Sequence, residues 1–275
     1  MNDVPFRRRS VLFMPASNPR ALAKAPSLAC DAVILDLEDA VAPTAKATAR
    51  EAAVAAAAGA RACAVRINAL DTPWGRDDAA AVGGAMAVVV PKVARADDLI
   101  AVRAAVGAGG PPIWAMIETC GAILALGQIV AAAAATRTEL LIAGTNDLAK
   151  EMRCRPDAAR TPLLPALSHL VIAARAGGLT VLDGVCNAIG DEARLAAECA
   201  QGAMLGFDGK TLIHPSQIDA ANAAFGPSAE QLAWAHAVVT AFAAPEAAGQ
   251  GAIQLDGAMI ERLHLAEAER LLASA

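Results

Sequence analysis

Eight short apolar runs, each broken off by a polar or glycine turn and separated from the next by a longer stretch, most of them helix-like, constrain this chain more than any other feature. The pattern is plainest at Ala32–Val41, where an uncharged Ala-Val-Ile-Leu run gives way abruptly to Asp36, Glu38 and Asp39. A strand buried on both faces reads this way when its carboxyl end opens onto a polar site. The other runs are Val11–Pro15, Ala62–Ile67, Ala85–Val90, Pro112–Ile117, Leu140–Ala143, Leu179–Leu182 and Ala203–Phe207. Helices are expected between them. Ser17-Asn18-Pro19 supplies a cap and a first-turn proline for one reaching Ala29, Pro43 starts an alanine-rich one ending near Gly59, and others cover Asp97–Val106, Thr119–Ala135 and Leu167–Ala176.

Strands alternating with helices in this way call for an α/β fold, a parallel sheet closed into a (β/α)8 TIM barrel. The right-handed crossover rule places all the strand endings on one face, so Arg66, Lys92, Glu118, Asp147, Asp183 and Lys210 are expected to converge there. An open doubly wound sheet is disfavoured, because no Gly-x-Gly-x-x-Gly follows the first strand. The expected organisation is a barrel over residues 1–225 and a C-terminal helical segment over 226–275. Within that segment, Ser228–Phe242 reads as a helix, Pro245–Gly251 as a loose connection, and Ile253–Leu272 as a last amphipathic stretch. Such an extension packs on its own barrel or reaches over a neighbour's mouth.

Composition removes several classes of function. With a net charge of -5 and eight aromatic residues, none of them tyrosine, the chain has no basic stripe with stacking platforms, which argues against nucleic acid. The 56% hydrophobic content is largely alanine in helical tracts, and no apolar segment approaches the roughly 20 residues that span a bilayer. Arg7-Arg8-Arg9 precede an apolar run too short for a signal-peptide core, so the cytoplasm is the expected location. The six cysteines contain no Cys-x-x-Cys pair and read as small buried hydrophobes. No Gly-x-Ser-x-Gly elbow or phosphate-binding glycine loop appears.

Glu118 and Asp147 are the leading candidates for chemistry. Two acids at the ends of adjacent strands, with no histidine or thiolate nearby in sequence, suit Mg2+, which takes one or two protein carboxylates and leaves positions for a chelating substrate. Each precedes a helical run, so each could equally be a helix cap. Arg66 suits a substrate carboxylate or a developing oxyanion, or else a structural ion pair with Asp36 or Glu38. Arg20, Lys24 and Lys46 could hold phosphates or simply be solvated. His214 reads as a structural hydrogen-bonding residue.

Taken together, Arg9-Ser10-Val11-Leu12-Phe13-Met14-Pro15, Asp36-Leu37-Glu38-Asp39-Ala40-Val41, Arg66-Ile67-Asn68, Pro91-Lys92, Ile117-Glu118-Thr119, Gly144-Thr145-Asn146-Asp147, Gly209-Lys210 through His214-Pro215-Ser216, and Gly257-Ala258-Met259-Ile260-Glu261 resemble the citrate lyase beta-subunit-like family of CoA-ester lyases. Malyl-CoA and citramalyl-CoA lyases are its relatives within the HpcH/HpaI aldolase superfamily. The resemblance implies a barrel that is trimeric or a dimer of trimers, with the C-terminal segment covering a neighbour's active site. It also implies Mg2+ on Glu118 and Asp147, Arg66 as the carboxylate and oxyanion contact, and Phe13, Arg20, Lys24, Glu38 and Lys46 around an acyl-CoA substrate.

Glu261 matches an aspartate that serves in the lyases as acid or base, and its extra methylene is a departure. Lys150-Glu151-Met152-Arg153 departs from the turn that follows the matching aspartate in many relatives, which bears on substrate choice. The implied reaction is Mg2+-dependent carbon-carbon cleavage of a citramalyl-, malyl- or citryl-CoA to acetyl-CoA and a 2-oxo acid. The alternatives are a malyl-CoA thioesterase, a class II pyruvate aldolase, for which the Arg20 and Lys24 contacts would be unnecessary, and a carrier-protein-dependent citrate lyase beta subunit.

Overall fold

The structure, a computed structural model, describes residues 7–58, 62–244, 247 and 249–273. Eight parallel strands close into a barrel in chain order: β1 (Ser10–Pro15), β2 (Ala32–Asp36), β3 (Cys63–Arg66), β4 (Val88–Val90), β5 (Ile113–Ile117), β6 (Thr138–Ala143), β7 (Thr180–Asp183) and β8 (Gly209–Leu212). Pairing of Ser10 with Lys210 and of Val11 with Thr211 closes the ring. The helices on the connections are α1 (Pro19–Lys24), α2 (Lys46–Ala58), α3 (Gly75–Ala81), α4 (Ala96–Val106), α5 (Cys120–Ala131), α6 (Ala133–Thr136), α7 (Thr145–Glu151), α8 (Leu164–Ala176) and α9 (Glu192–Leu205). α10 (Ile218–Phe225) follows β8. The expected helix end near Gly59 and part of the 245–251 connection lie outside the described residues.

Because side chains alternate along a strand, one parity of each strand fills the barrel and the other meets the helices. The interior parity is Val11, Ala32 and Ile34, Ala64, Ala87 and Val89, Trp114 and Met116, Leu140 and Ile142, and Leu182. Trp114 is fully buried, yet its indole N–H is satisfied by Glu139 Oε1 at 2.8 Å, and Arg8 lies over its ring while pairing with the same carboxylate. Continuing the interior parity two residues beyond Ile34, Ala64 and Met116 gives Asp36, Arg66 and Glu118. The apolar filling thus ends in a charged layer at the carboxyl end of the strands.

Two expectations are corrected. The eighth strand is Gly209–Leu212 and not Ala203–Phe207: Ala203 to Leu205 complete α9, which Asp191 caps and which ends at Gly206 with φ +97°. Leu195, Cys199 and Gly202 are buried at a helical spacing, and Met204, which a barrel strand would bury or hide under helices, is largely exposed. Ile253–Leu272 is also not one amphipathic stretch. It is a hairpin, β9 (Ala252–Leu255) and β10 (Ala258–Glu261), followed by α12 (Arg262–Ala273). The two-residue turn is Asp256-Gly257, with φ of +50° and +81°, the left-handed pair that a tight hairpin requires and that Asp-Gly tolerates.

The described residues fall into two compact units, Arg8–Asn222 and, grouped with Arg7, the segment from Ala223 onward. The second has its own core, in which Ala235 and Val238 of α11 (Ala229–Ala243) meet Ile260, Ala268 and Leu271. No helix among the described residues is long and apolar enough to cross a membrane.

Candidate active site

A cavity of about 410 Å³ opens at the carboxyl end of the barrel strands, lined among others by Phe13, Asp36, Asp39, Arg66, Met116, Glu118, Thr145, Asn146 and Asp147. Glu118 extends β5 and is buried. Its Oε1 accepts the backbone N–H of Lys92 at 2.7 Å. Lys92 can offer that donor because its backbone is left-handed, with φ +52°, an uncommon conformation for a residue with a side chain. Gly144, at the end of β6, lets the carboxylate lie close by: a Cβ there would collide with the Glu118 side chain. Asp147 stands in the first turn of α7 on the same cavity.

Neither acid caps a helix. Thr119 accepts from the Ala122 N–H and caps α5, and the cap of α7 is Gly144, with no side-chain bond. The helix-cap alternative is therefore removed, and both carboxylates face a shared space. Burial pushes the Glu118 carboxyl up to about 7, with the Glu38 and Asp147 charges adding to it against the Lys92 hydrogen bond. Burial likewise raises Glu38, even though Arg66 and Lys92 pull it down.

Arg66 binds Asp36 through both prongs, Nε to Oδ1 at 2.7 Å and Nη2 to Oδ2 at 2.6 Å, and its Nη1 is 2.8 Å from Glu38 Oε2. Its guanidinium lies 4.9 Å from the centre of the Phe13 ring. The expected ion pair with Asp36 and Glu38 thus exists, and Arg66 still lines the cavity. Desolvation works against its charge, but the carboxylates around it outweigh this and raise its pKa. Lys92 Nζ sits 3.2 Å from Glu38 and 3.8 Å from Asp147.

The remaining predicted residues divide. Arg20 and Lys24 are exposed on α1, just beyond the end of β1, and their charged ends form no ion pair among the described residues. Lys46 is buried, and its ammonium donates to Leu37 O, Glu38 O and Asn68 Oδ1, each at 2.7 Å, so it is committed to holding the turn after β2. Glu261 ends β10 in the second unit, where its N–H donates to His264 Nδ1. His214 is structural, its ring accepting the N–H of Ser216. All six cysteines are free.

Asp183 and Lys210 were expected at the mouth and are not there. Leu182 and Thr211 hold the interior parity, so their neighbours point outward. Lys210 is fully buried against Asp183 at 3.0 Å and Glu198 at 3.4 Å, and Arg160 pairs with Asp183 at 2.7 Å. Asp39, whose place in the sequence carries no signal beyond that of the neighbouring acids, also lines the cavity.

Among the described residues no three metal-ligating side chains form a cage. Two carboxylates in a cluster with excess negative charge are what a hard, substrate-chelating divalent cation needs, since it keeps other positions for water and substrate oxygens. A (β/α)8 barrel with such an acidic cavity at its catalytic end is the class that fold and site define. The chain belongs to the HpcH/HpaI aldolase/citrate lyase family, whose model matches residues 9–215.

Over 98% of its length the chain is 48% identical to a (3S)-malyl-CoA thioesterase of Cereibacter sphaeroides, covering 95% of that protein. It is 34% identical to the citrate lyase subunit beta of Escherichia coli, over 92% of this chain and 88% of that one. Protein CitE from Mycobacterium tuberculosis, solved in complex with magnesium, acetoacetate and coenzyme A, superimposes with a TM-score of 0.80 at 32% identity, covering 99% of each chain.

Proposed function

We propose that this protein is a Mg2+-dependent enzyme of malyl-type CoA esters, with hydrolysis of the thioester of (3S)-malyl-CoA as its reaction. The observation that carries the reading is the meeting of Glu118, Asp147 and Arg66 on one cavity. The choice of hydrolysis follows the 48% identity to a protein named for it, maintained over nearly the whole chain. Magnesium in the solved relative supports the cofactor, and coenzyme A in the same complex supports the acyl-CoA substrate.

Glu118 and Asp147 would hold Mg2+, which as a Lewis acid supplies charge stabilisation to the oxygens it binds. Arg66 donates two of its five N–H groups to Asp36 and one to the Met116 sulfur, keeps Nη1 2.8 Å from the Glu38 carboxylate, and lines the cavity with the rest of its fork, where a substrate carboxylate or an oxyanion can accept from it. The Asp36 pair fixes the plane of that fork. Phe13 gives the acyl portion an apolar wall. Arg20 and Lys24, exposed on α1 and without an ion pair among the described residues, suit the phosphates of coenzyme A, whereas Lys46 acts through the turn it anchors. In this reading the protein works in the cytoplasm as a trimer or dimer of trimers, with the segment carrying Glu261 over a neighbour's mouth.

Carbon-carbon cleavage to acetyl-CoA and a 2-oxo acid is the second reading, favoured by the citrate lyase beta relatives and served by the same cation and arginine. There Glu261 would be the acid or base. Incubation of the purified protein and Mg2+ with (3S)-malyl-CoA, with free thiol and glyoxylate followed separately, tests the choice. Thiol without keto acid is expected; keto acid without thiol would replace the first reading by the second.

A further inference from the structure

Hydrolysis needs something the family's cation and arginine do not provide, a base to take the proton of the attacking water. Four carboxylates line the cavity, and three are engaged. Asp36 is held by Arg66 and accepts the N–H groups of Glu38 and Ala40 at 2.8 and 3.2 Å. Glu118 accepts from Lys92, and Asp147 has the Lys92 ammonium at 3.8 Å; in the proposed function both are taken by the cation. Asp39 has no hydrogen-bond or ion-pair partner for its carboxylate among the described residues, and it is open to solvent at the rim. Its backbone is nonetheless fixed. The two N–H groups that Asp36 captures belong to the residues on either side of it, and Val41 N–H closes the turn onto Glu38 O at 3.0 Å. A carboxylate on a fixed backbone, with free lone pairs, access to water and a place on the substrate cavity, meets the requirements for a general base.

We propose, resting on the thioesterase reading above, that Asp39 is the catalytic base of hydrolysis. The water oxygen forms a bond to the thioester carbonyl carbon as Asp39 takes one of its protons. The carbon-sulfur bond then breaks, and Asp39 returns that proton to the departing thiolate. Free acid and thiol are the products, and the carboxylate is regenerated. Glu38 is excluded from this role, since it lies between Arg66 and Lys92 and does not line the cavity.

The test uses the full chain with Mg2+ and (3S)-malyl-CoA, with thiol release read for wild type, Asp39→Asn and Asp39→Ala, the last with and without formate. The Asn variant is expected to lose on the order of 100- to 1,000-fold in kcat with KM within about threefold, and formate is expected to restore the Ala variant about tenfold or more. Wild-type kcat in Asp39→Asn, a raised KM at unchanged kcat, a loss that formate does not relieve, or loss of the Mg2+-dependent melting shift in both variants would each overturn the role while leaving the thioesterase reading standing. Wild-type protein releasing glyoxylate and no thiol would overturn both.

Discussion

Two charge clusters sit in this barrel, one opening to a cavity and one sealed from water, and they differ in the one respect that makes a site. The first, at the strand ends, sets Asp36, Glu38, Glu118 and Asp147 against Arg66 and Lys92, leaving two negative charges uncompensated beside a cavity. The second, between the strands and α9, sets Asp183 and Glu198 against Lys210 and Arg160, with Arg194 also on Glu198 at its exposed edge, so no acid in it is left uncompensated. In the first, burial raises the Glu118 and Glu38 carboxyls, the sign of negative charge held where it is not fully neutralised. In the second, each ion meets a partner away from water. Charged residues at strand ends are therefore not a site in themselves: strand parity sends one set inward to a cavity and the other outward to seal a helix against the sheet.

The sharpest way to break this comparison is to neutralise one member of each cluster. Glu118→Gln removes a proposed cation ligand and is expected to lower kcat/KM on the order of 1,000-fold or more, as losing several kcal/mol of Lewis-acid stabilisation requires. Without Mg2+ its melting temperature should equal or exceed wild type, because the charge removed is one the fold holds at a penalty. Lys210→Met does the opposite. It removes the fully buried cation that Asp183 and Glu198 share, leaving Asp183 to Arg160 and Glu198 to the partly exposed Arg194, and is expected to cost about 3–5 kcal/mol of stability in urea unfolding, with Mg2+ affinity in the folded fraction unchanged. If Glu118→Gln destabilises as much as Lys210→Met, the two clusters are of one kind and the distinction fails.

A finer test adds one carbon. Gly144→Ala puts a methyl where the Glu118 side chain lies, so either that side chain or the end of β6 must shift. Mg2+ affinity by calorimetry should fall about 10- to 100-fold, comparable to disturbing the groups that orient metal ligands, with the melting temperature of the metal-free protein changed little. Unchanged affinity would mean that Glu118 does not reach the cation from this position.

The barrel was legible in the sequence because a strand covered on both sides must be apolar at every position, and seven of eight such runs stand out. The eighth was misplaced because Ala203-Met204-Leu205 is equally apolar as the end of a helix. The real strand, Gly-Lys-Thr-Leu, hides a lysine in its middle that is affordable only because Asp183 and Glu198 meet it. Glu118, Arg66 and Asp147 could be read from their places after buried runs, but a strand ending says nothing of parity. Glu118 lies two residues beyond Met116 and keeps the interior parity of Trp114 and Met116, whereas Asp183 lies one beyond Leu182 and takes the opposite parity, which separates the residue that faces the cavity from the one that does not. The C-terminal hairpin was missed although Asp256-Gly257 between short alternating runs is a strong turn signal. The helix-like spacing begins only at Arg262, after the hairpin.

The smallest effect is a pH dependence whose sign distinguishes the empty site from the loaded one. The Glu118 carboxyl, ordinarily 4.5, is pushed up to about 7 by burial in the metal-free fold. A raised folded-state pKa means that the protonated form is favoured on folding, so the stability this group contributes is fully present below about 4.5 and is lost as pH rises through about 7. A cation binds the ionised form, so proton and metal compete: between pH 8 and 6 the ionised fraction falls roughly tenfold, and Mg2+ affinity should fall with it. The melting-temperature gain on adding Mg2+ should therefore grow from pH 6 to pH 8, and the Glu118→Gln variant should show neither the slope nor the gain. A gain independent of pH in wild type would place the cation on groups already ionised at pH 6, with Glu118 outside its coordination.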